Sequence, residues 1–202
     1  MARPRSQEGR RASLIDATLA VGAERGLRSL SLTDVAQRAG LTRGAVLYYY
    51  DDLDALLLEA HSAGIERFCT ARDAALAEID DPRVQLGVAI AEGLPTGPDD
   101  ALMGLLYQFD ALAGDASLHD ELVQALYLRQ LATYRRIVAA GRADGVFAPR
   151  LDDETLAMTL VALEDAYGLH IVGGNALMTV DAAAAAMRAV ATELGCPVAE
   201  RG

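Results

Sequence analysis

Arg43, Gly44, Ala45, Leu47, Tyr48 and Tyr49 lie within seven residues of one another, and their chemistry is that of recognition. An arginine offers a planar fork of donors that matches O6 and N7 of guanine in a major groove. Gly44 lets a backbone approach closely, and Ala45 and Leu47 suit a thymine methyl. The phenols of Tyr48 and Tyr49 suit phosphate oxygens. Thr33 is placed to reach a base edge or a phosphate. Ser31 and Thr42 stand where two helices begin, and helix N-termini themselves bind phosphate. The competing readings are a solvated surface charge for Arg43 and a place in the core for the tyrosines. Val46 and Tyr50 fall one turn apart on the other face and read as core.

These side chains need a rigid carrier, and the stretch Ser31–Leu57 supplies one. Ser31 and Asp34 have the spacing of a capping box. Ala39-Gly40-Leu41 reads as a turn whose glycine takes the left-handed position after a helix. Thr42 then caps the next helix. Two capped helices across one glycine describe a helix-turn-helix. Before it, a helix is expected from about Arg10 to Arg25, preceded by a flexible arm over residues 1–9 and closed by Gly26. After it, Asp51, Asp52 and Asp54 open a long fourth helix reaching about Ile79, with acids at the positive end of its dipole.

Gly, Pro and Asp clusters divide the remainder into five further helices. They are expected over about Pro82–Gly93, Asp99–Ala113, Ser117–Ala143, Asp153–Val172 and Val180–Leu194. No alternation over a strand's length and no hairpin signal occur. The expectation is an all-α protein of about nine helices. Residues 1–56 would form a DNA-binding domain with its N-terminal arm, and residues 57–202 a helical effector-binding and dimerisation domain.

The whole chain of 202 residues carries a net charge of −11, which taken alone argues against a nucleic-acid partner. Its distribution reverses that. Residues 1–50 hold eight arginines against four acids, a net +4, and the rest holds ten against 25, a net −15. A basic head on an acidic body approaches phosphates in one orientation. Cys69 and Cys196 are far apart and show no metal spacing. No uninterrupted apolar run approaches the ~18 residues of a membrane span. The arginines near the N-terminus precede no apolar segment, so no secretory signal is read. A cytoplasmic protein with reduced thiols and no membrane partner is expected.

A second set of residues could enclose a small molecule. Tyr127 and Tyr134 share a face of the seventh helix, and Tyr107 and Asp110 lie one turn apart on the sixth. Glu164, Tyr167 and His170 are spaced three apart on the eighth. Aromatic rings with a few carboxylates suit a cationic or amphipathic effector through cation–π and charge pairing. The alternative for each is a core or interface position. Catalysis finds no support: no Glu-x-x-His pair for a di-iron site, three dispersed histidines and no phosphate loop. No catalytic residue, metal or cofactor is therefore expected.

The pattern Gly26-Leu27, Ser31-Leu32-Thr33-Asp34-Val35-Ala36, Ala39 through Val46, Tyr48-Tyr49-Tyr50 and Asp54-Ala55-Leu56-Leu57 resembles the N-terminal domain of TetR-type one-component regulators. The region from Tyr134 to Asp165 is similar to the subgroup typified by the choline-responsive betaine-pathway repressor, a likeness that does not carry the ligand across. The resemblance implies a homodimer joined through its last two helices and bound to a palindromic operator, most simply as a repressor released by an effector. Apolar stripes agree: Leu156, Leu160, Leu163, Tyr167 and Ile171 on the eighth helix, and Ala183, Ala186, Met187, Val190 and Leu194 on the ninth. Intrachain packing is the other use for them. Two departures stand out, Leu47 where the family often has Tyr and Leu53 where it has a phosphate-clamping Lys. They shift phosphate anchoring to the tyrosines and to Arg10 or Arg11. The alternative function is a helical ligand-binding or adaptor protein without specific DNA binding.

Overall fold

The computed structural model describes residues 4–111 and 117–199. Among them are nine α-helices and no strand. They are α1 (Pro4–Arg25), α2 (Leu32–Arg38), α3 (Arg43–Val46), α4 (Leu53–Leu76), α5 (Pro82–Gly93), α6 (Ala101–Asp110), α7 (Ser117–Ala143), α8 (Asp153–Val172) and α9 (Val180–Glu193). A 3-10 turn over Leu27–Ser29 joins α1 to α2.

The start of α1 differs from expectation. Residues 4–9 are helical and not an arm. Pro4 sits at the first helical position, where its fixed φ suits the helix and its missing N–H costs nothing. Residues 1–3 lie outside the described part. The fourth helix ends at Leu76, short of the expected Ile79, and the sixth starts at Ala101, after the expected Asp99; the expected end of the sixth at Ala113 lies outside the described residues. The Asp52 carboxylate caps α4 by accepting from the Ala55 N–H at 2.8 Å, which fixes its start at Leu53.

The chain forms two compact units. The first comprises Met1–Arg67 and Ala101–Val123. Its core is built from Leu14 and Leu19 of α1, Val35 of α2, Val46, Tyr50, Leu56 of α4, and Leu105 and Phe109 of α6. Burial of each large side chain contributes about 1.5–3 kcal/mol, enough to hold the one-turn α3 that has no stability of its own. α6 seats on α1 at Gly22, where a Cβ would stand 2.8 Å from Leu105 Cδ1. Gln108 of α6 accepts a hydrogen bond from the Leu27 N–H at 2.9 Å and so ties down the turn ahead of α2.

His61 of α4 and His119 of α7 are both buried in this unit. Their Nδ1 atoms lie 3.0 Å apart, and the His61 ring stacks on Phe109 at 4.3 Å.

The second unit comprises Phe68–Asp100 and Gln124–Gly202. Leu86 and Ile90 of α5, Tyr134, Ile137 and Val138 of α7, Leu156, Leu160 and Val161 of α8 and Met187 and Ala191 of α9 fill its core. α8 is the one described helix long and apolar enough to cross a membrane by length and composition. Seven of its residues are buried in this core instead.

That burial divides the two stripes read as a dimer seam. Leu156, Leu160, Ile171, Ala183 and Met187 are buried within their own chain. Leu163, Tyr167, Ala186, Val190 and Leu194 are half-buried. The outward apolar residues of α8 are Met158, Ala162, Ala166 and Leu169.

Candidate functional site

The helix-turn-helix is held by local hydrogen bonds that its sequence dictates. The Ser31 hydroxyl accepts from the Asp34 N–H at 3.3 Å, and Asp34 accepts from the Ser31 N–H at 3.1 Å. Asp34 also takes Arg25 Nη1 at 2.7 Å. The Ser31 hydroxyl also donates to the Asp34 carboxylate at 2.5 Å, and this bond first, with the Ser31 N–H and Arg25, holds the carboxyl below its usual range. α2 ends in a Schellman motif. The Leu41 N–H donates to the Ala36 carbonyl at 2.8 Å and the Gly40 N–H to the Gln37 carbonyl at 3.2 Å. Gly40 has φ of +66°, and a Cβ there would meet nothing within 4 Å, so backbone conformation alone requires the glycine. Thr42 Oγ1 then accepts from the Ala45 N–H at 3.2 Å and starts α3. Helical hydrogen bonding continues past Val46, with the Tyr50 N–H on the Val46 carbonyl at 3.1 Å.

This segment has the two faces its sequence predicts. Val46 is 0% and Tyr50 4% exposed, whereas Leu47 is 37% and Tyr48 72% exposed. Ser31, Thr33, Thr42, Arg43 and Gly44 are exposed, and Ala45 and Tyr49 half-buried. Tyr48 and Tyr49 pack edge to face, ring centroids 5.1 Å apart. An outward arginine, a bare glycine, a leucine and a tyrosine on a capped helix start form a surface that can enter a groove.

Arg11 is used differently from expectation. Its guanidinium pairs with Glu59, donates to the Tyr49 carbonyl at 3.2 Å and covers the Tyr50 ring at 4.6 Å. Tyr50 donates its hydroxyl to Glu59 at 2.6 Å. Burial first, then Glu59, pushes the Tyr50 phenol well up. Arg11 thus braces the end of the recognition segment, and Arg10 is the exposed arginine beside it. Leu53 packs half-buried against the core.

Of the seven residues read as effector contacts, Tyr107 and Asp110 belong to the first unit and the other five to the second. Tyr107 is half-buried, and Asp110 is exposed at the end of α6. Tyr127 and Tyr167 are half-buried against the second core. His170 is exposed, with Nδ1 3.2 Å from the Asn175 amide. Tyr134 and Glu164 meet: the phenol donates to Oε2 at 2.6 Å.

Two residues that sequence reasoning missed complete this buried cluster. Arg72 donates Nη1 to Glu164 Oε1 at 3.1 Å and Nη2 to Oε2 at 2.8 Å, and Gln130 donates Nε2 to Oε1 at 2.8 Å. Arg72 Nη2 also reaches the Ala89 carbonyl at 2.7 Å. Burial works against the Arg72 charge, but Glu164 and Tyr134 hold its pKa above the ordinary arginine value. A signal existed. The α4 stripe Ala60, Gly64, Phe68 continues in steps of four to Arg72 and Leu76, and a charge in a buried stripe requires a buried partner.

Residues 14–60 match the family described as "Bacterial regulatory proteins, tetR family". An HTH-type transcriptional regulator BetI from Burkholderia ambifaria is 34% identical over 183 residues, which cover 89% of each chain. The chain belongs to the TetR family. This TetR regulator is therefore a DNA-binding transcriptional regulator and not an enzyme. The matched stretch contains all nine residues read from the sequence as DNA contacts, from Ser31 to Tyr49. The fold recurs in a putative transcriptional regulator from Saccharomonospora viridis in complex with choline, with a TM-score of 0.84, 23% identity and coverage of 90% of this chain and 95% of that one. It recurs again in FadR from Bacillus subtilis in complex with stearoyl-CoA, with a TM-score of 0.71, 16% identity and coverage of 93% and 99%.

Proposed function

We propose that this TetR-family regulator is a repressor that binds a palindromic operator as a homodimer and is released by a small-molecule effector. The outward face of α3 carries the reading: Arg43, Gly44, Leu47 and Tyr48 are exposed while Val46 and Tyr50 anchor the same turn in the core. In this reading Arg43 forks onto a guanine, and Ala45 and Leu47 meet thymine methyls. Tyr48, Tyr49, Thr33 and the helix starts at Ser31 and Thr42 hold phosphates. Residues 1–56 are the DNA-binding part. Residues 57–202 take the effector and the partner subunit, and the protein works in the cytoplasm with the DNA.

One recognition segment reads a half-site, so a two-fold dimer spaces two of them about one DNA turn, roughly 34 Å, apart. The outward residues Met158, Ala162, Ala166 and Leu169 of α8 recur at near-heptad spacing, and α9 adds Ala182, Ala185 and Ala189 on its exposed side. Small residues permit the close approach of a four-helix seam. Binding of an effector that favours one geometry of the body then lowers DNA affinity by linkage.

A mobility-shift titration of the full chain on the DNA upstream of its own gene, at two salt concentrations, tests the reading. A discrete shift that weakens steeply with salt is expected, because phosphate contacts release counterions. The absence of any salt-dependent shift on that DNA contradicts it.

A further inference from the structure

Glu164 is the carboxylate that a cationic effector would seek, and its capacity is already used. It accepts four hydrogen bonds, two from Arg72, one from Gln130 and one from Tyr134. A carboxylate offers about four lone-pair sites, so none is left for a ligand. The aromatic side is used as well. The Arg72 guanidinium lies over the Tyr134 ring at 4.9 Å and the Phe68 ring at 5.9 Å. At Gly93 a Cβ would stand 2.2 Å from Glu164 Oε2, so that wall is closed by backbone. A carboxylate with two aromatic rings makes a cage for an organic cation. Here the occupant is the chain's own arginine.

Beside this cage lies a cavity of about 250 Å³, below the roughly 300–1,000 Å³ of pockets for drug-sized ligands and so suited only to a smaller one. α4 contributes Phe68, Arg72 and Asp73 to its lining, and α7 contributes Arg129, Gln130 and Arg136. Besides Arg72, whose charge Glu164 matches, the charged groups of the lining are Arg129, Arg136 and Asp73, in a part of the chain whose overall charge is strongly negative. Arg72 is only 2% exposed, and its Nε, a buried donor, has no hydrogen-bond partner. An unmade bond of this kind is costly until an acceptor arrives. Arg136 is exposed at the same cavity.

We infer that the effector of this regulator is a small organic anion, a carboxylate held by Arg136 and Arg72 in the α4–α7 cavity, and that choline-like cations are excluded because Arg72 fills the cage they would need. The inference rests on the reading that residues 57–202 take the effector. The two ends of such a ligand are recognised differently: its charge by the arginines, its carbon chain by Phe68 and the arginine stems.

The test uses the full-length protein, calorimetry and the upstream-DNA mobility shift. The probes are choline chloride and a panel of sodium carboxylates from acetate to octanoate and from succinate to adipate, at matched ionic strength. Carboxylates within the panel are expected to bind and to release the DNA, and choline to do neither. Arg136→Gln should weaken the best carboxylate about tenfold, the scale of one hydrogen bond to a charged group. Arg72→Ala empties the cage. Its thermal midpoint, or its yield of folded protein if it does not fold unaided, should rise with millimolar methylguanidinium while the wild type is unmoved. Binding of choline to the wild type, silence across the carboxylate panel, or an Arg136→Gln variant of unchanged affinity overturns the inference. DNA release by choline overturns the anion class and leaves the DNA-binding reading intact, since that reading is decided by the effector-free shift.

Discussion

Glu164→Ala is expected to lower the unfolding free energy by about 3–5 kcal/mol, the cost of leaving one member of a buried ion pair uncompensated. The truncation leaves the Arg72 guanidinium 2% exposed without its carboxylate, and it also removes the acceptor of Tyr134 and Gln130. Arg72→Met should be damaging for the converse reason, a carboxylate 1% exposed without its cation. The double variant Arg72→Met/Glu164→Ala is expected to recover much of the loss, because the desolvation of both charges disappears together. Urea unfolding of the four proteins closes the cycle. Additive losses from the two single variants would mean that the residues do not act as a pair.

The second large effect is on pH. Burial first, and then the neighbouring His119, lower the His61 pKa from 6.5 to about 4. The unfolded chain therefore binds a proton that the folded chain refuses between those values. Stability from this group is complete above pH 6.5, falls at about 1.4 kcal/mol per pH unit below it, and is lost by pH 4, about 3 kcal/mol in all. The carboxyls of Asp34, Glu59, Asp81 and Asp152 are held below their ordinary values of 3.8 or 4.5. Their contributions fade in a lower window. Burial raises the Asp110 carboxyl to about 6, so it gains a proton on folding and opposes the histidine slope below pH 6. Chemical denaturation of Asp110→Asn from pH 6.5 to 4.5 should therefore show the histidine slope, and Asp110→Asn/His61→Gln a flatter profile. An Asp110→Asn protein that is flat there would remove the buried neutral imidazole from the account.

The recognition segment was legible because its determinants are local. Ser31, Asp34, Gly40 and Thr42 specify caps and a turn through bonds that span five residues or fewer, and all four act as their spacing predicts. The in-or-out assignment of Val46, Leu47, Tyr48 and Tyr50 follows from helical periodicity for the same reason. The long-range pairs were not legible. Arg11 with Glu59, Arg72 with Glu164 and His61 with His119 join positions 48, 92 and 58 residues apart. Nothing in either local sequence names the partner. Tyr134 and Glu164 were singled out by residue type and do meet, but the arginine that pairs with Glu164 and covers the Tyr134 ring lies on a helix read only for its apolar stripe. The α8 and α9 stripes show a third limit. Periodicity marks the apolar face without saying whether its cover is the same chain or a second one, and five of the ten positions are covered by the same chain.

The central claim is that the outward face of α3 reads DNA, and the Arg43→Ala variant addresses it most directly. Wild type and variant should be titrated by fluorescence anisotropy against the bound upstream fragment and against scrambled DNA of the same length. The account predicts a loss of about 1–3 kcal/mol on the specific fragment, the worth of a bidentate contact to guanine, with little change on the scrambled one. Equal affinities of the two proteins for the specific fragment would contradict it.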